Sequence, residues 1–255
     1  MNSIKLKKFD LSQIKNDSTV LVVGRRRSGK SWVIRDLMYT KKNIPSGVVF
    51  SGTADVNPFF NTFIPETFIY DSLEIPALEK IINRQEIKVK QDNLKNAHKQ
   101  NNNKERPFNK FIILDDVLHD TKWVTDSTIK KILFNGRHYN IFFVLAIQYI
   151  NSIPQKLMTN FDYVFLFNET STKNRKKLYE SFCGVIENYN TFHEIFTKCT
   201  KEYGCLVIDT HGSDIDDSIY YYKSHHREPF KVGNKAFWKY SSRNAKDDGM
   251  IIKIK

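Results

Sequence analysis

Short, continuous runs of apolar residues recur along the chain, separated by longer segments in which apolar residues follow a helical spacing. The runs predict buried strands at residues 19–23, 47–50, 111–114, 141–147, 163–167, 205–208 and 219–222. Helices are predicted between them, most clearly at residues 31–39, 75–87 and 173–182. Apolar strands separated by helices are typical of a parallel sheet that is covered on both faces. We therefore predict an α/β fold whose mostly parallel central sheet is flanked by helices.

The length of 255 residues fits one large domain with modest extensions. We assign this domain to residues 19–222, between an N-terminal lead-in at residues 1–18 and a C-terminal tail at residues 223–255. A stretch rich in Lys, Asn and Gln at residues 88–110 is predicted to be a helix tail leading into a mobile insertion.

The insertion and the tail carry almost all of the excess positive charge. Lysine and arginine number 40 against 28 acidic residues, which gives a formal net charge of +12. Residues 88–110 hold seven basic and two acidic residues, and residues 223–255 hold nine and three. Such segments on a nearly neutral domain indicate a polyanionic partner such as nucleic acid, although they are also what solvated linkers look like. Phe237 and Trp238, among the lysines of the tail, are candidates for contacts with that partner.

Composition narrows the class of protein further. A hydrophobic content of 40% and an aromatic content of 13% exclude a disordered chain. No run approaches the roughly 20 apolar residues of a membrane span, and the polar N-terminal sequence is unlike a signal peptide. The three cysteines, Cys183, Cys199 and Cys205, lack the paired spacing of a zinc site and indicate a reducing compartment. We expect a soluble intracellular protein without a transmembrane segment.

The strongest motif follows the first apolar strand and precedes the first helix. Residues 24–31 read GRRRSGKS and fit the phosphate-binding P-loop pattern G-x-x-x-x-G-K-[ST] at every fixed position. Backbone N–H groups of such a loop point at phosphate oxygens, and the helix N-terminus adds a favourable dipole. Lys30 is expected to reach the β- and γ-phosphates, and Ser31 to ligate Mg²⁺. The predicted nucleotide contacts are Gly24, Arg25, Arg26, Arg27, Ser28, Gly29, Lys30, Ser31 and Trp32.

Two adjacent carboxylates, Asp115 and Asp116, end the apolar strand at residues 111–114 and have the form of a Walker B motif. Acidic pairs end many strands, but a pair about 85 residues after a P-loop favours ATP chemistry. Asp115 is predicted to hold Mg²⁺ through water. Asp116 is predicted to orient or deprotonate the attacking water.

Two further polar residues are candidates for a role in hydrolysis. Gln148 ends the next strand, where a side chain can sense the γ-phosphate or place the water; the alternative is a polar strand end that meets solvent. Arg137 precedes the same strand and could be an arginine finger that acts across a subunit boundary. A surface arginine or a DNA contact is the alternative for Arg137.

The order of these motifs resembles the genome-packaging ATPases of nucleocytoplasmic large DNA viruses, the poxvirus-type branch of the FtsK/HerA-like superfamily. The resemblance is carried by GRRRSGKS, VVFSGT, FIILDDVL, NGRHYNIFFVLAIQY and TNFDYVFLFNE followed by NRKKLYE. It covers residues 19–209, three quarters of the chain. Its most specific part is the Asn-Gly-Arg-His stretch that runs into an apolar strand ending in Gln148.

The resemblance implies a RecA-like core that binds ATP and Mg²⁺, with Asp115 and Asp116 serving the metal and catalysis. It also implies Arg137 as a candidate finger and Gln148 as a candidate sensor. Its further implications are a ring of five or six subunits that moves double-stranded DNA into a capsid, and docking to capsid or inner-membrane proteins of the virion. The expected location is the host cytoplasm, in the viral factory, and the virion. Asp116 departs from the pattern, because many superfamily members carry glutamate there.

Other P-loop functions remain open from the residues alone. A helicase or nucleotide kinase is the main alternative, and a kinase would need a second substrate site but no basic surface. A third possibility is a nucleotide-binding switch with little turnover, although the acidic pair argues against it.

Overall fold

The fold is described from a computed structural model, in which residues 5–96, 108–117, 123 and 125–247 are described. Its strands are β1 Lys7–Lys8, β2 Thr19–Val23, β3 Ser46–Ser51, β4 Ile69–Tyr70, β5 Lys110–Asp115, β6 Ile141–Ile147, β7 Tyr163–Leu166, β8 Gly204–Asp209 and β9 Ile219–Lys223. Its helices are α1 Lys30–Thr40, α2 Ile75–Asn96, α3 Ser127–Asn135, α4 Gln155–Met158, α5 Thr172–Phe182, α6 Tyr189–Cys199, α7 Ile215–Ser218 and α8 Lys235–Asp247. Each of the seven predicted strands and three predicted helices is present.

The strands form one sheet in the order β1-β9-β8-β7-β2-β6-β5-β3-β4. Pairing is parallel from β7 through β4, whereas β8 runs antiparallel to both β7 and β9. Because β8 is reversed, its first residue lies at the edge where the parallel strands end. The predicted α/β class with a mostly parallel sheet is confirmed.

Both faces of the sheet are covered, which explains why its central strands are apolar at every position. On β2, Leu21 and Val23 face one helical layer, whereas Val20 and Val22 face the other. The first layer includes α2, α3, α5 and α6, and the second includes α1 and α8. The continuous apolar runs are thus the signature of a sheet buried on both sides.

The register brings the ends of the central strands level with one another. Val23 pairs with Ile147 on one side and with Leu166 on the other, and Asp115 pairs with Ser51. The residues that follow these strands therefore meet at one edge, which we call the carboxyl edge of the sheet. Ligands of open α/β sheets bind in the crevice outside this edge.

The described parts of the lead-in and the tail are built into the domain. Phe9 of the lead-in lies in the core against Phe165 and Tyr220. In the tail, Phe237 is buried and stacks on Phe68, with ring centroids 4.3 Å apart. The tail therefore contains a helix, Lys235–Asp247, that packs on the domain through Phe237, and residues 248–255 lie outside the described part.

Phe237 and Trp238, the two aromatic residues of the tail that were expected to contact a nucleic-acid partner, contact other residues of the same chain. Phe237 is only 5% exposed, so the expectation that its ring contacts a partner is wrong. The indole N–H of Trp238 donates to the Val232 carbonyl at 2.8 Å. Of the predicted basic insertion, α2 accounts for the part up to Asn96 and Lys110 begins β5, while residues 97–107 are outside the described residues.

Within the ranges given above, none of the helices combines the length and apolar character needed to cross a lipid bilayer.

Candidate functional site

The P-loop connects β2 to α1 at the carboxyl edge, as its position in the sequence predicts. The Gly24 N–H donates to the Ile147 carbonyl at 3.1 Å, which ties the start of the loop to β6. A Cβ on Gly24 would lie 2.6 Å from the Cβ of Phe167, so only glycine fits there. Gly29 has a φ of +108°, a left-handed conformation that favours glycine. Packing and backbone conformation thus explain both glycines of the motif.

Lys30 is the first residue of α1, and its side chain folds back over the loop. Its ammonium group donates to the Gly24 carbonyl at 2.7 Å and to the Arg25 carbonyl at 3.3 Å. The same nitrogen lies 3.6 Å from Oδ2 of Asp116. Although it is charged, Lys30 is buried. The loop therefore holds a desolvated cation at its centre, where a phosphate would bind.

Asp116 lies at the meeting point of the P-loop, β5 and β6. Its backbone has a φ of +52°, a region in which Asp and Asn are enriched among non-glycine residues. Oδ2 of Asp116 accepts a hydrogen bond from the side-chain amide of Gln148 at 3.1 Å. The structure thus brings together Lys30, Asp116 and Gln148, which are far apart in the sequence.

Asp115 is buried beside this group and has a different electrostatic environment. Its Oδ2 accepts a hydrogen bond from the Ser51 hydroxyl at 3.4 Å. Burial, reinforced by the neighbouring Asp116 charge, raises the pKa of Asp115 to about 6, although Lys30 and Ser51 act in the opposite direction. A buried carboxylate is a favourable ligand for a cation when nearby positive groups do not balance its charge, because the bound cation compensates that charge.

This raised pKa predicts a pH-dependent stability of the nucleotide-free protein. The pKa of Asp115 is about 6 in the folded protein against 3.8 for an ordinary aspartate, so ionisation of this carboxyl disfavours folding. The free energy of unfolding should fall as pH rises from about 4 to about 6, by at most about 3 kcal/mol. Asp115→Asn should remove this loss, so that the variant is more stable than the original protein at pH 7. Urea unfolding of both proteins between about pH 4 and pH 7 measures these free energies and checks the prediction.

Asp55→Asn, which removes an exposed carboxylate, is the control and should leave the pH profile unchanged. An Asp115→Asn profile that retains the full loss between pH 4 and pH 6 would show that another group causes it.

The residues available for a divalent cation are oxygen ligands. Ser31 follows Lys30 in the first turn of α1, and Asp115 lies across the loop on β5, both lining one cavity. Hydroxyl and carboxylate oxygens are ligands that Mg²⁺ takes together with substrate phosphates. The described residues contain no cluster of three or more His, Cys, Asp or Glu side chains that could hold a metal by themselves.

A cavity of about 740 Å³ opens at the carboxyl edge. It is lined by the P-loop, the two carboxylates and Gln148. This volume is within the range of ligand sites for small molecules and cofactors. The predicted residues that line it are Arg25, Arg26, Arg27, Ser28, Gly29, Lys30, Ser31, Trp32, Asp115, Asp116 and Gln148. The sequence did not point to the remaining ones, Gly52, Thr53, Asn57, Phe59, Glu202, Tyr203, Lys223 and Ser224.

The three loop arginines and Trp32 differ in their contacts. Arg25 donates to the Thr170 hydroxyl at 2.6 Å, away from Asp116. Arg26 and Arg27 are exposed at the mouth of the cavity. The Trp32 ring packs edge-on against Phe59 at 5.6 Å and is half exposed. These four side chains line the cavity, but they surround the group formed by Lys30, Asp116 and Gln148 and are not part of it.

Arg137 is placed at the opposite edge of the sheet. Its guanidinium forms an ion pair with Oδ1 of Asp162 at 2.5 Å, and Asp162 also accepts the Thr19 N–H at 2.8 Å. Arg137 precedes the seven residues of β6, whereas Gln148 follows them, a span of roughly 20 Å. Arg137 therefore cannot reach the phosphate loop of its own subunit. Its side chain is 59% exposed, so it is accessible to a neighbouring molecule.

Comparison with known proteins agrees with the motif order and the fold. Residues 6–211 match the family described as Poxvirus A32 protein. A protein of Acanthamoeba polyphaga mimivirus is 34% identical over 239 residues, covering 92% of this chain and 82% of the relative. Protein 015R of Frog virus 3 is 30% identical over 260 residues, covering 94% of this chain and 76% of the relative.

Solved structures share the fold at lower identity. The genome packaging NTPase B204 from Sulfolobus turreted icosahedral virus 2, in complex with AMP, superposes with a TM-score of 0.57 at 16% identity, covering 84% of this chain and 100% of B204. EssC (ATPases 2 and 3) from Geobacillus thermodenitrificans gives a TM-score of 0.51 at 14% identity, covering 91% of this chain and 43% of EssC. The solved structures share the predicted fold, and the predicted resemblance to the poxvirus-type family is confirmed by the family match. Since the family match spans most of its length, the chain belongs to the poxvirus A32 protein family.

Proposed function

We propose that this protein hydrolyses ATP with Mg²⁺ to move double-stranded viral DNA into a capsid, and that it works as a ring of subunits. The observation that carries the catalytic part is the convergence of Lys30 and Gln148 on Asp116 at the phosphate loop, although the three residues are far apart in the sequence. Oδ2 of Asp116 lies 3.6 Å from the Lys30 ammonium nitrogen and 3.1 Å from the Gln148 amide nitrogen. A cation, an acid and an amide around one point are the parts that phosphoryl transfer to water requires.

The proposed chemistry assigns one role to each group. Backbone N–H groups of the loop and the Lys30 ammonium bind the β- and γ-phosphates and offset the charge of the transition state. Asp116 accepts a proton from the attacking water, and the Gln148 amide holds that carboxylate in position. Ser31 and Asp115 would hold Mg²⁺, which neutralises phosphate charge when it is bound.

Charge and relatives support the DNA part of the proposal. The net charge of +12 suits a polyanionic partner, because neutralising phosphates releases counterions. B204, which shares the fold, is itself a DNA-packaging ATPase. By the same reasoning we propose capsid or inner-membrane proteins of the virion as docking partners, and the viral factory in the host cytoplasm and the virion as the location.

Translocation is tested directly by displacement of a third strand from a DNA triplex. The protein is incubated with a duplex that carries a triplex-forming oligonucleotide, and release of the oligonucleotide is followed after ATP is added. Release with ATP but not with a non-hydrolysable analogue is the expected result. ATP hydrolysis with no release at any duplex length would leave an ATPase that does not translocate.

The position of Arg137 predicts how subunits cooperate. Because this residue is at the far edge of its own sheet, it can serve only a phosphate bound to a neighbouring subunit. Arg137→Ala should lower kcat by about 10³-fold, which is the effect of arginine fingers elsewhere. Mixing Arg137→Ala with Lys30→Ala subunits should restore part of the ATPase activity, since some interfaces then combine an intact loop with an intact arginine.

The matched control is Arg243→Ala, which removes an exposed arginine of α8 and should keep full activity. An absence of recovery at every mixing ratio would contradict a finger acting between subunits.

A further inference from the structure

We propose that Tyr203 stacks on the base of the bound nucleotide, in a base pocket formed by Glu202, Tyr203, Lys223 and Ser224. These four residues line the same cavity as the phosphate loop. The inference rests on the proposed nucleotide binding and extends it to the part of the ligand that the P-loop does not contact.

The order of the strands sets the direction in which a nucleotide lies. The phosphate loop follows β2, and the carboxylates Asp115 and Asp116 lie to one side of it, two strands away on β5. A γ-phosphate that points towards Asp116 leaves the base to extend the other way, towards β7 and β8. Because β8 is antiparallel to β7, Tyr203 precedes its start at this same edge, and Ser224 follows the end of β9 there. Topology alone thus places the base pocket on the side of β2 away from the carboxylates.

The Tyr203 ring is available for a ligand. Its side chain is 70% exposed and lines the cavity, so the ring is accessible to a ligand bound there. The Cβ of Tyr203 lies 3.5 Å from the position that a Cβ on Gly29 would occupy, so the residue adjoins the phosphate loop. Aromatic side chains bind bases of any kind by stacking, since every base has a π face.

The backbone at this point is held in a conformation that non-glycine residues rarely adopt. Glu202 has a φ of +50° and Tyr203 a φ of +65°, two left-handed residues in succession. Such residues disfavour folding and are concentrated at active and ligand-binding sites. Their location next to the P-loop links this strain to the nucleotide site rather than to a distant turn.

The other two residues of the base pocket supply polar groups. The Lys223 ammonium donates to the Glu202 carboxylate at 2.8 Å, and this ion pair lines the cavity next to Tyr203. The Ser224 hydroxyl is buried and has no hydrogen-bond partner among the described residues. A base edge carries both donors and acceptors, so a base pocket with a cation, an anion and a hydroxyl is suited to it.

Trp32, the other exposed aromatic residue of the cavity, is less suited to this role. Its ring already packs against Phe59, and the Arg35 guanidinium lies 5.5 Å from its centroid. Phe59 follows β3, which lies beyond the carboxylates in the sheet. Trp32 is therefore on the phosphate side of the cavity.

The test compares a ligand that has a base with one that lacks it. Dissociation constants of ADP and of inorganic tripolyphosphate are measured by calorimetry on the full-length protein and on Tyr203→Ala, Tyr203→Phe and Tyr221→Ala. Tyr203→Ala should weaken ADP binding by about 10-fold to 100-fold and leave tripolyphosphate binding unchanged. Tyr203→Phe, which keeps the ring, should stay within about twofold of the original protein. Tyr221 is an exposed tyrosine of β9 outside the cavity, and its replacement should change neither constant.

The outcomes separate this inference from the proposed function. If Tyr203→Ala weakens both ligands equally, or neither, base stacking by Tyr203 is wrong while nucleotide binding at the P-loop stands. If the original protein binds neither ligand, the proposed ATP site itself is wrong, and the proposed base pocket is then wrong as well.

Discussion

Replacing Lys30 with alanine is expected to lower kcat for ATP hydrolysis by at least about 10³-fold while the protein remains folded. The ammonium group occupies the centre of the loop, 2.7 Å from the Gly24 carbonyl and 3.6 Å from Asp116. Removing a positioned cation from a desolvated site leaves the transition-state charge uncompensated. Steady-state phosphate release, with thermal unfolding measured in parallel, checks both parts of the prediction.

Lys156→Ala is the matched control, because Lys156 is exposed on α4 and does not line the cavity. It should retain full turnover. Undiminished hydrolysis by a pure preparation of Lys30→Ala would remove the P-loop from the mechanism.

Asp116→Asn is expected to bind ATP with near-original affinity and to hydrolyse it at least about 100-fold more slowly. Asparagine keeps the shape of the side chain and tolerates the left-handed backbone at φ +52°, so the loop should keep its conformation. What is lost is the carboxylate that takes the proton from water, and general bases contribute about 10²-fold to 10⁴-fold. Nucleotide binding by calorimetry and single-turnover hydrolysis separate the two effects.

Alanine would be a poorer test at this position, because it tolerates the left-handed backbone less well than asparagine. Asp55→Asn again controls for the loss of a surface charge. Normal turnover by Asp116→Asn would assign the base to another group, and Asp115 is then the next candidate.

The sequence was most informative where burial is complete. The apolar run at residues 141–147 coincides with β6, since a strand covered on both faces has no polar positions. The P-loop was equally clear, because phosphate binding requires glycines and a lysine at fixed spacing. These two signals were enough to predict the fold class and the phosphate-binding part of the site.

Other features depend on contacts that no local pattern shows. α6 was not predicted, although Phe192, Ile195 and Phe196 lie on its buried face at helical spacing. Phe237 was misjudged because its partner, Phe68, is far away in the sequence. Tyr203 precedes a strand that turns out to be antiparallel, and only that reversal brings it to the cavity beside the phosphate loop.

The electrostatic features likewise needed three dimensions. Arg137 was identified from its place before β6, but its pairing with Asp162 at the far edge could not be inferred from spacing. The raised pKa of Asp115 follows from burial and from the orientation of two adjacent carboxylates. The residue type identifies such groups as candidates, whereas the distances between them in the folded protein determine which interactions they make.

The central claim, that ATP hydrolysis is coupled to DNA, is tested most directly by steady-state hydrolysis with and without double-stranded DNA. The rate is measured at low and moderate salt, with the size of the protein followed in the same samples. The proposal predicts stimulation by DNA that declines as salt rises, because phosphate contacts release counterions, in a species of ring size. Hydrolysis by a monomer at a rate that is indifferent to DNA at every salt concentration would contradict it.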